Sequence, residues 1–227
     1  MILAAGGTAL WYSTRATGAV SLVLLTMSFL MGIPTLLSTA TERMPRIVVL
    51  LLHRNVSLLV LIFLSIHITT AVVDGFVTIR WIDAIVPFGG VYRPIWLGLG
   101  AVALDLLLAV ILTSLVRARI GYQTWRYVHL TTYAIWPIAF VHGLGTGSDT
   151  RYPWMWWVSG ACAFTVLAAV IWRLVAKPPA TREARNTAIA LVIVVPLLIG
   201  AWLMRGPLQP GWQRAHHVLV SGGTTGP

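Results

Sequence analysis

The chain has 227 residues, of which 58% are hydrophobic and only 10% carry a charge. A typical soluble domain has about 25% charged residues, so this composition excludes an ordinary water-soluble fold. The formal net charge of +10 does not indicate nucleic-acid binding, because the basic residues lie at the ends of apolar segments and not in one patch or arm. We therefore predict an all-α integral membrane protein whose main surroundings are the lipid bilayer, with no nucleic-acid partner.

Six apolar segments are each long enough to cross a bilayer, which takes roughly 20 helical residues. They cover residues 16–38, 47–73, 95–117, 125–145, 155–176 and 186–204. Ten Lys and Arg residues fall on one predicted side and six on the other, and the positive-inside rule then places both termini outside the cytoplasm. The sequence predicts a six-transmembrane-helix bundle over residues 1–204, followed by an extracytoplasmic tail over 205–227.

Three features outside or within the spans have a simple structural interpretation. The outer connection, residues 74–94, contains Trp81 and Tyr92, and aromatic rings of this kind favour a segment lying at the membrane interface. The tail is rich in Gly, Pro and Thr, which predicts disorder, and its two adjacent histidines are interpreted as solvent-exposed. The single cysteine, Cys162, lies in an apolar segment and is predicted to be a packing residue.

Four of the six histidines lie inside two of the apolar segments. His53 and His67 are 14 residues apart, and His129 and His142 are 13 apart, so each pair extends over roughly 20 Å of helix axis. Both segments are predicted to run outward, which puts His53 level with His129 near the inner face and His67 level with His142 near the outer face. Ionisable residues inside a membrane usually face a protein interior, a cavity or a cofactor. We therefore predict two histidine pairs at two depths.

Ideal helix geometry lets the two histidines of the second segment face the same neighbour, but not the two histidines of the fourth. At about 100° per residue, 14 residues bring His67 to within about 40° of His53, so both side chains can face one neighbour. Thirteen residues leave His142 about 140° away from His129 in an ideal helix. Pro137 lies between them, and a proline inside a helix removes a hydrogen bond and kinks the helix. We predict that this kink reorients His142 toward its partner.

A pair of histidines can supply both axial ligands of a haem iron, and a helix bundle can bury the apolar macrocycle. The sequence therefore predicts two stacked b-type haems, one bound by His53 and His129 and the other by His67 and His142. Zinc fits less well, because neither pair has a carboxylate or a cysteine beside it. The alternative is that all four are structural histidines, each hydrogen-bonded to a neighbouring carbonyl or hydroxyl.

Haem propionates need cations or hydrogen-bond donors near the membrane faces, and arginine binds carboxylates through two parallel bonds. Arg54 and Arg126 are the candidates at the inner level, close in sequence to the inner histidines. Arg15, Arg80 and Arg93 are the candidates on the outer side. The alternative for each is an interface residue that extends its charge into water.

These motifs resemble the ferric reductase-like transmembrane domain family, which includes the membrane half of NADPH oxidases and ferric-chelate reductases. The family has two histidines with 13 residues between them on one helix and two with 12 between them on the next helix but one, as this chain does. Segments 11–18, 52–57 and 141–149 are similar to bacterial members, and the resemblance covers about residues 11–175. It implies the same histidine pairing, two haem b groups, a place for Arg15 near a haem, and location in the bacterial plasma membrane.

Members of the family commonly continue into a cytoplasmic flavin and nicotinamide domain, for which this sequence has no counterpart. We therefore expect a separate electron donor, either a soluble flavoprotein reductase or quinol, and an extracytoplasmic acceptor. The predicted function is transmembrane electron transfer, as in the similar haem-bearing subunit of the bacterial methionine sulfoxide reductase system. Whether the chain is itself an oxidoreductase or a subunit of one stays open.

Three other functions stay open. A quinol-linked cytochrome b subunit of a larger complex would use the same haem sites. A proton or metal-ion transporter would use the histidines without haem, and Asp105, the only acidic residue deep in an apolar segment, would be a proton-handling group or a structural residue of the bundle. A haem-free scaffold would make the matched histidine depths a coincidence.

Overall fold

The computed structural model describes residues 9–37, 45–75, 77–146 and 148–212, and every regular element within them is helical. The α-helices are α1 (Ala9–Leu37), α2 (Arg46–Val73), α3 (Pro94–Leu115), α4 (Arg117–Ile120), α5 (Tyr122–Leu130), α6 (Thr132–Thr146), α7 (Pro153–Ala176) and α8 (Arg182–Arg205). Two short 3₁₀ helices, Trp81–Ala84 and Ser148–Arg151, lie in connections between them. The predicted all-α class is confirmed.

Five of the helices contain a segment long and apolar enough to cross a membrane. These segments are Ala9–Ile33, Ile47–Val73, Pro94–Leu115, Pro153–Ala176 and Arg182–Arg205. Large apolar side chains are exposed on their outer faces, including Phe164 at 74% and Leu197 at 66%, as expected where lipid and not water surrounds the helices. The protein is therefore a multi-pass membrane protein, and these five spans agree with the predicted ones to within several residues.

The fourth predicted span is not one continuous helix. The chain forms α5 and α6 there, and neither is long enough to cross a bilayer alone. At the junction, the N–H and the hydroxyl of Thr131 both donate to the carbonyl oxygen of Val128, at 3.0 and 2.7 Å, which tightens the backbone into a 3₁₀-type turn. Pro137 lies inside α6, so the helix break precedes the proline that was predicted to kink it. The sixth span stays a prediction.

Hydroxyl side chains set the register of α1 against α2. Thr14 and Thr70 share a hydrogen bond of 2.8 Å near one end, and Ser28 and Ser57 share one of 2.8 Å near the other. Because the sequence numbers rise along α1 as they fall along α2, the two helices are antiparallel. These contacts place the carbonyl groups of α1 beside the histidines of α2.

The main buried cluster lies between α1, α6 and α7. Its members are Leu22, Trp136, Phe140, Leu144, Met155, Cys162 and Val166. The indole N–H of Trp136 donates to the hydroxyl of Thr26 at 2.9 Å, so the polar atom of this buried ring is satisfied. Cys162 packs in this cluster with a free thiol, in agreement with its predicted packing role.

Helix α8 lies at the periphery, and none of its residues is buried. Trp202 of α8 and Trp212 both lie against Trp96 of α3, with ring centres 5.0 and 5.9 Å apart. Residues 206–212 form turns, in which Trp212 lies against Trp96, and the disorder predicted for the tail stays a prediction. The rest of the predicted tail, 213–227 with its two histidines, lies outside the described residues.

The connection between α2 and α3 folds back over the end of the bundle. The main-chain N–H and the guanidinium of Arg80 both bond the carboxylate of Asp83, at 2.9 and 2.7 Å, and these bonds hold the pKa of Asp83 below its ordinary value. Phe88 lies so close to α3 that a Cβ at Gly98 would be 2.3 Å from its ring. The segment therefore packs against α3, and its predicted place at the membrane interface stays a prediction.

Candidate functional site

The structure brings the four histidines of the two apolar segments together in two pairs. The ring centres of His53 and His129 are 6.4 Å apart, with the planes at 72°. Those of His67 and His142 are 6.5 Å apart, with the planes at 87°. These are the two pairs predicted from the histidine depths, and all four residues are partly buried.

The distance within each pair fits a shared metal better than a direct hydrogen bond. An N–H···N bond of about 2.9 Å between two imidazoles would put their ring centres about 5 Å apart. Two histidine–metal bonds of about 2 Å on opposite sides of one ion put the ring centres about 6 Å apart. The observed 6.4 and 6.5 Å match the second arrangement. Two opposed imidazoles are also the donor set that fills the axial positions of a haem iron.

Main-chain carbonyl groups fix the orientation of three of the four rings. The Nδ1 atoms of His53, His67 and His142 lie 3.0, 2.8 and 2.8 Å from the carbonyl oxygens of Ser28, Thr14 and Trp96. Since a carbonyl can only accept, Nδ1 must carry the proton, which leaves the lone pair of Nε2 free to bind a metal. Metal-bound histidines are usually held by such a bond. Structural histidines would make the same bond, but this alternative does not explain why the rings meet in pairs at a metal-bridging distance.

His129 is held differently, by an aromatic contact. Its Nδ1 is buried and makes no hydrogen bond within the described part of the chain. Its ring instead stacks on Trp125 at 4.9 Å with the planes at 27°, and the indole N–H of Trp125 donates to the hydroxyl of Ser114 at 3.0 Å. Sequence analysis missed Trp125, although its position four residues before His129 puts the two on one helix face.

Glycines on neighbouring helices give the outer rings the space that they occupy. A Cβ at Gly100 of α3 would lie 2.5 Å from the His142 ring, and one at Gly18 of α1 would lie 3.0 Å from the His67 ring. Both distances are shorter than an ordinary carbon–carbon contact of about 3.5 Å or more. Sequence analysis missed this role, because glycine is common in transmembrane helices and only the fold shows which glycines face a histidine. The paired imidazoles fit a haem at each level, and the glycine clearances apply to the level of His67 and His142.

Arg15, the candidate for an outer propionate, forms an ion pair with Asp149. The two side chains are 15% and 8% exposed, and the guanidinium also lies 3.9 Å from the centre of the Trp11 ring. Arg15 follows Thr14, whose carbonyl bonds His67, so the ion pair lies near the outer histidines. Asp149 compensates the arginine charge, and contact of Arg15 with a propionate stays a prediction.

The other candidate arginines differ in their exposure. Arg54 and Arg126 are both exposed, and Arg126 borders a shallow pocket of about 170 Å³ at the start of α5. Their role as inner propionate partners stays a prediction. Of the other two candidates predicted for the outer side, Arg80 is 59% exposed and pairs with Asp83, whereas Arg93 is buried.

Comparison with known proteins identifies the family. A family model described as the ferric reductase like transmembrane component matches residues 17–140, which is more than half of the chain. The matched region includes three of the four paired histidines and ends just before His142. Comparisons with curated proteins and with solved structures gave no match. The chain belongs to the family of ferric reductase-like transmembrane components.

Proposed function

We propose that the protein is a di-haem b-type cytochrome that carries electrons from a donor on the cytoplasmic side of the membrane to an acceptor outside. The observation that supports this most is the meeting of four histidines from two apolar segments in two pairs at 6.4 and 6.5 Å. In this proposal His53 and His129 bind an inner haem, and His67 and His142 bind an outer one. The haems supply one-electron redox chemistry at two depths when bound.

The protein's contribution is ligation, orientation and a dry environment. The carbonyl oxygens of Thr14, Ser28 and Trp96 hold three imidazoles in the tautomer whose Nε2 binds iron. The Trp125 ring holds the plane of the fourth. The apolar side chains of the bundle exclude water from both levels, which strengthens every electrostatic interaction there.

We also propose a sixth transmembrane span and an orientation of the protein in the membrane. Helices α5 and α6 together run from Tyr122 to Thr146, about 37 Å along the axis if nearly collinear, which is enough to cross a bilayer. The excess of Lys and Arg on the side of the α2 start and the α5 start places that side in the cytoplasm and both termini outside. The membrane is proposed to be a bacterial plasma membrane.

The redox partners follow from the position of the two levels. A soluble flavoprotein reductase or quinol is the proposed donor and delivers electrons at the level of His53 and His129. The acceptor is extracytoplasmic and receives them at the level of His67 and His142. Arg54 and Arg126 are the proposed propionate partners at the inner level, and Arg15 is a proposed one at the outer level, where Asp149 already contacts it.

Electron transfer across a sealed membrane tests the proposal. The haem-loaded protein is reconstituted into liposomes that enclose cytochrome c, and dithionite, which crosses lipid poorly, is added outside. We expect the enclosed cytochrome c to be reduced with wild type and with Ser65→Ala, an exposed position on the same helix as His67. His67→Ala should behave like empty liposomes. A haem-loaded wild type that leaves cytochrome c oxidised, or equal reduction by His67→Ala, would contradict electron conduction through the paired histidines.

A further inference from the structure

Arg93, one of the three arginines that the sequence offered on the predicted outer side, is a buried cation to which the proposed function assigns no role. It immediately precedes α3, and only 8% of its surface is exposed. Its Nη1 donates to the carbonyl oxygen of Gly145 at 2.6 Å. Its Nε is buried and makes no hydrogen bond within the described residues. The Nε–H edge of the guanidinium therefore lacks a hydrogen-bond acceptor.

The charge of Arg93 also lacks a counterion. The ion pairs found among the described residues, Arg15 with Asp149 and Arg80 with Asp83, do not involve it. Burial lowers the pKa of Arg93, because removal from water disfavours the charged form. Buried charges are normally paired, so this site is incomplete without an anion.

The backbone of Arg93 is unusual as well. Its φ of 41° and ψ of 58° lie in the left-handed region, which residues with a side chain adopt only when their surroundings impose it. Such conformations occur preferentially where a side chain must be held in a defined position for function. The conformation here accompanies the turn from the outer connection into α3.

Two contacts place Arg93 close to the outer histidine pair. Gly145, which accepts its hydrogen bond, lies within one helical turn of His142 on α6. Trp96, within one turn of Arg93 on α3, accepts the hydrogen bond from Nδ1 of His142. The guanidinium and the His142 ring are therefore held by the same two helix ends, with Arg93 on the side away from the inner pair.

We propose that Arg93 binds a propionate of the outer haem, an inference that rests on the proposed function. A carboxylate is the anion that a guanidinium fork recognises best. At the same level Arg15 already has the carboxylate of Asp149, whereas Arg93 has none. The competing structural role is capping of the α6 carboxyl end, which any cation there would favour.

A comparison of haem with its dimethyl ester separates these roles, because the ester has the same ring and no propionate charge. Wild type, Arg93→Gln and Arg205→Gln are loaded with each form, and transfer of the outer haem to excess apomyoglobin is timed. When loaded with haem, Arg93→Gln should lose the outer haem roughly tenfold to hundredfold faster than wild type. This factor corresponds to the contribution of one hydrogen bond between charged groups. With the ester, wild type and Arg93→Gln should lose it at equal rates. Arg205→Gln, at an exposed arginine that ends α8, should match wild type with both forms.

Other outcomes overturn the inference. An Arg93→Gln variant that loses haem and ester faster by the same factor has only a structural defect, and unchanged loss of both shows that Arg93 does not contact the cofactor. Arg93→Lys keeps a cation at the end of α6, so it provides the same comparison if the glutamine variant does not fold. A wild type that binds no haem refutes the proposed function itself, and this inference with it.

Discussion

Replacing Gly100 with alanine tests whether the position of the His142 ring controls cofactor binding. The added Cβ would lie 2.5 Å from Cε1 and 2.6 Å from Nδ1 of His142, whereas carbon atoms in contact stay about 3.5–4.0 Å apart. The ring must therefore move by about 1 Å and weaken its hydrogen bond to the Trp96 carbonyl, now 2.8 Å long.

The size of the effect follows from these two changes. Overpacking costs about 1–3 kcal/mol, and the hydrogen bond contributes about 1 kcal/mol more. In the haem-free protein the ring is free to turn away, so we expect most of this cost to fall on haem binding. The affinity of the outer site should drop by roughly 30-fold or more. The fold should be largely retained, because alanine favours a helix over glycine by about 1 kcal/mol.

The assay is haem per chain by pyridine haemochrome, with thermal unfolding measured in parallel. Gly100→Ala should retain one haem, the inner one, after purification. Two other glycines provide a graded series. The added Cβ of Gly18→Ala would lie 3.0 Å from the His67 ring, so this variant should weaken haem binding at the outer site less. The added Cβ of Gly32→Ala would lie 4.0 Å from the His53 ring, so this variant should leave haem binding unchanged. Gly160→Ala is exposed and meets nothing within 4 Å, so it serves as the control.

Two results would refute this reasoning. A Gly100→Ala variant with two haems per chain and wild-type affinity would show that the His142 ring position does not control binding. Equal haem loss from Gly100→Ala and Gly160→Ala would show that helix perturbation, and not ring displacement, is responsible.

Asp149→Asn leaves the guanidinium of Arg15, whose side chain is 15% exposed, without its carboxylate, and we expect the free energy of unfolding in detergent to fall by about 1–3 kcal/mol. An unchanged melting temperature would argue against a structural ion pair. Thr26→Val removes the acceptor of the buried Trp136 indole N–H and should cost about 1–3 kcal/mol in the same measurement, whereas Thr26→Ser should cost less. Arg80 lowers the pKa of Asp83, so their contribution to loop stability is present above the ordinary carboxyl pKa of about 4 and is lost as pH falls through the lowered value. The protection of residues 80–90 from hydrogen exchange, measured relative to the intrinsic exchange rate at each pH, should therefore fall in acid for wild type. In Asp83→Asn this protection should already be low and should not change with pH.

Sequence reasoning predicted the features that depend on spacing within one segment. The 14-residue separation of His53 and His67 gives both a common face and two depths, and the helical span boundaries follow from apolar runs. The pairing with His129 and His142 followed from helix direction alone, because two segments that run the same way across the membrane place their first histidines at one depth and their second histidines at the other.

The remaining features depend on contacts that spacing does not encode. The acceptors of the histidine Nδ1 atoms are main-chain carbonyl groups of α1 and α3, and any residue supplies such a group. Asp149 is far from Arg15 along the chain, so only the packing of α1 near the start of α7 reveals the ion pair. Sequence analysis missed the helix break at Thr131 because it assigned the disruption of this helix to Pro137. A threonine whose hydroxyl donates to a carbonyl one turn earlier cannot be recognised as a helix break from sequence.

The most direct test of paired-histidine haem ligation is a dithionite-reduced minus oxidised visible spectrum of the purified protein, combined with pyridine haemochrome quantification. We expect the spectrum of a b-type cytochrome with two haems per chain, falling to one in His67→Ala and in His142→Ala and staying at two in Ser65→Ala. A colourless protein after expression with ample haem, or an unchanged haem content in the histidine variants, would contradict the assignment.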